Sequence, residues 1–182
     1  MNMNKLTIGV LVALGALLAM PDVPAQADGD GGRLSARLRG FEETPAVSST
    51  ASGEFHGKIS KDETSVEYQL SYENLEADVR QAHIHFGQRG VAGGISVFLC
   101  QTTFNPDPTS NAPTCPQSGD VTGTFTAANV IGPAGQGIAA GEFAELLRAI
   151  RRGVTYANVH TVKFPSGEIR GQIKHRGHDD DD

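Results

Sequence analysis

The chain has 182 residues, 15 Lys and Arg against 21 Asp and Glu, a formal charge of -6, and no Trp among 6% aromatics. Four of the negative charges form the terminal run Asp179 to Asp182, so the rest is close to neutral. That composition lacks the basic stripe that nucleic acid or an anionic membrane requires, and the aromatic platform on which single strands stack.

Lys5, the apolar run at residues 6–20 (LTIGVLVALGALLAM) and Ala25-Gln26-Ala27 follow the order of a secretory signal peptide. The run is shorter than the roughly 20 residues of a membrane span. Residues 1–27 are therefore expected to be a removable signal, and the mature chain to be exported, periplasmic or secreted, with no membrane anchor. Residues 28–32 (DGDGG) read as a polar linker, and residues 33–174 as one domain.

Apolar and polar residues alternate with period two from Leu34 to Arg39, and again over residues 53–59 (GEFHGKI) and 65–72 (SVEYQLSY). The turn-like Ser60-Lys61-Asp62-Glu63 between the last two predicts a hairpin. Further strands are predicted at residues 82–86, 95–100, 121–125, 157–162 and 169–174. Short strands punctuated by Gly, Pro and Asn predict an all-β fold, an antiparallel Greek-key-like sandwich or barrel. One segment departs from that period. Residues 141–152 (GEFAELLRAIRR) place Phe143, Leu146, Leu147 and Ile150 on one stripe, with acids early, arginines late and Gly153 behind. That is one short amphipathic helix, expected to cap an end of the β-structure.

Cys100 and Cys115 are the only cysteines, and an exported chain with this pair predicts one disulfide across the Pro- and Asn-rich residues 101–114. Residues 175–182 read as a disordered tail. His175, His178 and the four aspartates can hold a cation weakly, although solubility is the simpler role.

The sharpest local pattern is Gln81-Ala-His-Ile-His-Phe-Gly87. Side chains alternate along a strand, so His83 and His85 share a face opposite Ala82, Ile84 and Phe86. Two imidazoles at this spacing can reach one ion. His160, in Tyr156-Ala-Asn-Val-His-Thr161, would complete a copper or zinc site if its strand lies beside theirs. The alternative is a hydrogen-bonded cluster that serves the sheet. His56 reads as a surface residue. Glu168 and Arg170 are expected to share a face of the last strand as a structural pair, joined to each other or to partners across the sheet. Glu42 and Glu43 are neighbours that face opposite ways on extended chain, which gives no paired-carboxylate hydrolase. No nucleophile elbow or phosphate loop is present.

Four stretches in order resemble the CHRD domain, named after chordin and also found singly in exported bacterial proteins. They are residues 38–47 (LRGFEETPAV), 82–87 (AHIHFG), 156–161 (YANVHT) and 167–172 (GEIRGQ). The likeness spans about residues 34–174 and implies a β-rich extracytoplasmic module without implying a reaction. More loosely, HIHFG is similar to the copper-binding strand of copper/zinc superoxide dismutases. Equivalents of that family's bridging and zinc ligands are missing. The first expectation is thus a non-enzymatic binding or structural module for an unidentified protein or small ligand. The alternative is copper or zinc binding through His83, His85 and His160, and the third is a dismutase-like enzyme.

Overall fold

The structure is a computed structural model and describes residues 32–176. The signal peptide and most of the linker expected before Gly32, and the tail beyond Arg176, lie outside the described residues.

Among those residues nine strands are joined in one antiparallel sheet, eight in the order β5-β4-β7-β8-β1-β2-β3-β6 and β9 paired with β1. They are β1 Arg33–Arg39, β2 Ser52–Ile59, β3 Ser65–Glu73, β4 Val79–Phe86, β5 Gly94–Cys100, β6 Gly119–Thr126, β7 Thr155–Thr161, β8 Ile169–Gln172 and β9 Lys174–Arg176. The sheet curls until its edge strands β5 and β6 approach each other, which makes a nearly closed barrel. The Tyr68 hydroxyl on β3 donates to the Leu99 carbonyl on β5 at 2.6 Å and ties the two sides of the seam.

The period-two residues line the inside. Leu34, Ala36 and Leu38 from β1, Phe55 and Ile59 from β2, and Val66, Tyr68, Leu70 and Tyr72 from β3 form one buried core with Ala82, Ile84, Ala157 and Val159. The β2–β3 hairpin pairs Ile59 with Val66 across the predicted turn.

Helix α1 (Phe143–Arg151) buries Phe143, Leu146, Leu147, Ala149 and Ile150 against one barrel end. Gly153 follows at φ 66°, a conformation that costs glycine least. Arg151 holds both carboxylate oxygens of Glu63, in the β2–β3 turn, at 2.6 and 3.3 Å.

The last predicted strand is split. β8 pairs β7, and after the buried Ile173 the chain continues as β9 along β1, out to Arg176. His175 and Arg176 thus belong to the sheet and not to the tail, because β1 offers them a free edge opposite Leu34 and Arg33. Gly171 is required at the crossing, since a Cβ there would lie 2.3 Å from the Arg37 carbonyl. Cys100 and Cys115 are joined by a disulfide at the end of β5.

Candidate metal centre

β4 and β7 are antiparallel neighbours, with Gln81 opposite His160, His83 opposite Asn158 and His85 opposite Tyr156. Ala82, Ile84, Ala157 and Val159 point into the core. Alternation therefore sends His83, His85, Tyr156, Asn158 and His160 to the outer face of the same two strands. That face is covered. His83, His85 and His160 are 0%, 7% and 5% exposed.

One ring nitrogen from each histidine lies within 4.8 Å of one from each of the others. The third histidine thus joins the pair, as the sequence requires of a shared site. Nδ1 of His85 is 2.9 Å from the Gly93 carbonyl, and Nδ1 of His160 is 3.0 Å from the Pro165 carbonyl. A carbonyl only accepts, so both rings carry their proton on Nδ1; Nε2 of His85 is bare, whereas Nε2 of His160 lies 3.0 Å from Oδ1 of Asn158. Nδ1 of His83 lies 3.1 Å from Nε2 of His160 and can donate to it in the metal-free protein, a bond that an ion on His160 would replace. Nε2 of both His83 and His85 is then left buried without a hydrogen-bond partner. Each such orphan costs about 1–3 kcal/mol, which an ion bound between them would offset.

The cluster is held neutral. Burial pushes His85 and His160 down to about 4, and it pushes His83 well below the ordinary imidazole value, helped by its two histidine neighbours. Neutral imidazoles are the ligand form.

Aromatic rings enclose the histidines. The Phe98 ring on β5 meets His83 edge-on at 4.3 Å, and Tyr156 stacks on His85 at 4.8 Å. The Arg170 guanidinium lies 3.4 Å over the Tyr156 ring. Strand order β4-β7-β8 puts Tyr156 between the imidazole and the guanidinium. Arg170, 2% exposed, also donates to the Gln88 carbonyl at 2.9 Å. Glu43 completes the set. Its buried carboxyl is pushed up to about 7 by desolvation, against the opposing pull of Arg170 and of a hydrogen bond from Asn158.

Glu168 and Arg170 take separate partners and are not joined as a pair. Glu168, fully buried, accepts from the Ser49 hydroxyl, the Thr161 hydroxyl and the Glu76 backbone amide. It fastens loops to β7, whereas Arg170 serves the histidine face. His56 is exposed beside Glu54, as expected of a surface residue. Glu42 and Glu43 do diverge, for Glu42 meets Arg89 at the surface.

Tyr156, Asn158 and Glu43 were not singled out from the sequence. The first two were legible in principle, because they stand at positions i−4 and i−2 from His160 on the same strand. Glu43 reaches the cluster from a loop, and its sequence position carries no signal of that.

A nearly closed antiparallel barrel with an outer histidine face is one class of architecture. Within it the CHRD domain family matches residues 34–173, and the chain belongs to that family. No curated protein and no solved structure matches it.

Proposed function

We propose that this protein is an exported, non-enzymatic module that binds one copper or zinc ion through His83, His85 and His160. The observation that carries the reading is the set of three buried, neutral imidazoles whose nitrogens lie within 4.8 Å of one another. A point serving nitrogens 4.8 Å apart lies at least half that distance, 2.4 Å, from both. Shifts of a few tenths of an ångström bring this to the ~2.0 Å of a metal–imidazole bond.

Burial favours retention over turnover, because a catalytic metal keeps a position open to substrate. A broad surface depression lined by Arg37, Lys58 and Arg176 includes none of the three histidines. Export is supported by the N-terminal apolar run and by the disulfide. Among the described residues no helix is long and apolar enough to cross a membrane.

The test is elemental analysis of untagged protein after loading with copper or zinc and removal of excess. One equivalent per chain is expected, and less than about a tenth of an equivalent after loading would remove the reading.

A further inference from the structure

We infer that the ion this centre takes is monovalent copper, held by three imidazoles without a fourth ligand; the inference rests on the metal reading above. Three observations lead there.

The first is charge. The three nearest donors are neutral, so a bound ion keeps its full charge under cover that leaves the histidines at most 7% exposed. The cost of placing an ion in such a medium rises with the square of its charge, so a divalent ion costs about four times as much as a monovalent one. The Arg170 guanidinium, one aromatic ring away from His85, adds a further positive charge. A second cationic charge is thus penalised twice.

The second is that no carboxylate among the described residues joins the cluster. Glu168 is committed to Ser49, Thr161 and the Glu76 amide. Glu43 takes a hydrogen bond from Asn158 and feels the charge of Arg170. Burial pushes Glu43 toward its neutral form, and what charge it keeps is set against Arg170, which leaves nothing to offset a divalent ion.

The third is room. Zinc completes a tetrahedron, and divalent copper takes four or more ligands in a tetragonal arrangement. Here Phe98 packs its edge on His83, and Tyr156 lies flat on His85 at an interplanar angle of 6°. These rings wall His83 and His85, and the polar atom beside His160 is the neutral Asn158 amide oxygen, 3.0 Å from Nε2. Monovalent copper, a closed-shell ion, needs no fourth ligand, and three imidazoles suffice. The hydrocarbon walls also keep out the water that a divalent ion would demand.

The experiment uses the full-length apo protein under anaerobic conditions. Monovalent copper is offered as its bicinchoninate complex, zinc is offered with a chromophoric chelator, and divalent copper is titrated separately. The protein is expected to withdraw one equivalent of monovalent copper and to prefer it over zinc by at least about 100-fold. The full-length His85→Gln variant, checked for folding by circular dichroism, should lose that equivalent, so binding by His178 and the terminal aspartates is separated from binding by the cluster. Zinc or divalent copper held as tightly as monovalent copper would overturn this inference and leave the metal reading intact. Retention of the full equivalent by His85→Gln, or no binding of any of the three ions, would overturn both. Where the variant does not fold, the comparison of the three ions on the wild-type chain decides.

Discussion

Nδ1 of His83 lies 3.1 Å from Nε2 of His160, although the two residues are 77 positions apart in the chain. The contact exists because β4 and β7 are paired antiparallel, which sets His160 diagonally across from His83 on one face. It makes the histidines one titrating unit, and the following predictions rest on that unit and its walls.

Stability of the metal-free protein should fall on acidification. His85 and His160 stand at about 4 in the folded chain against 6.5 as the reference value, and His83 is lowered too. A depressed imidazole favours folding above its unfolded value, and that contribution is lost as pH falls from 6.5 through 4. Glu43 acts in the opposite sense. Raised from 4.5 to about 7, it favours folding below 4.5, and its contribution is lost as pH rises through 7. Three histidines outweigh one carboxyl, so the unfolded chain binds the excess protons, each worth about 1.4 kcal/mol per pH unit. Denaturant midpoints at pH 7, 6 and 5 should therefore decline in order. A midpoint unchanged between pH 7 and 5 would contradict the buried, neutral state of the cluster.

The loop over His85 is held by a backbone that tolerates no side chain. A Cβ on Gly93 would lie 1.8 Å from the Phe86 carbonyl oxygen. Gly93 also accepts from His85 through its carbonyl and donates its amide to the Tyr156 hydroxyl at 3.1 Å. Gly93→Ala should cost about 2 kcal/mol or more in chemical denaturation, and weaken metal binding by about 10- to 100-fold. Gly135→Ala is the control, because a Cβ there meets nothing within 4 Å. Equal behaviour of the two variants would remove Gly93 from the site.

Arg170 should not be replaceable by lysine. Its planar guanidinium both stacks on Tyr156 and donates to the Gln88 carbonyl, and an ammonium cannot reproduce the flat contact. Arg170→Lys is expected to destabilise the metal-free protein by about 2 kcal/mol, read as a lowered denaturant midpoint. A loss below about 0.5 kcal/mol would show that the stack carries no weight.

The barrel's inner faces were legible from period-two alternation alone, since Leu34, Phe55, Leu70 and Ile84 all turned inward as it required. The shared face of His83 and His85 followed from the same rule. That β7 lies beside β4 did not follow, because the strands are joined through two others, the helix and long loops. Local pattern carries no information on such pairings. For the same reason the approach of Glu43 to Arg170 and Asn158, and of Glu168 to Ser49 and Thr161, was not legible in the sequence. The split of the last strand at Ile173 was hidden too, for alternation continues through a change of neighbour.

The disulfide should matter to stability and not to the cluster. It closes a separation of 15 residues, worth roughly 3 kcal/mol in the chain-entropy model. The Cys100→Ser/Cys115→Ser double variant should lose about that much in denaturation while keeping its metal stoichiometry, because no cysteine belongs to the histidine cluster. Loss of metal from a folded double variant would mean that β5, and Phe98 with it, needs the bridge to hold His83.

Imidazole nitrogen NMR during titration with monovalent copper or zinc, both diamagnetic, tests the central claim most directly. The chain has six histidines. The account predicts that the signals of His83, His85 and His160 move together and saturate at one equivalent, while those of His56, His175 and His178 stay in place. Movement of His175 and His178 alone, or of no histidine, would contradict it.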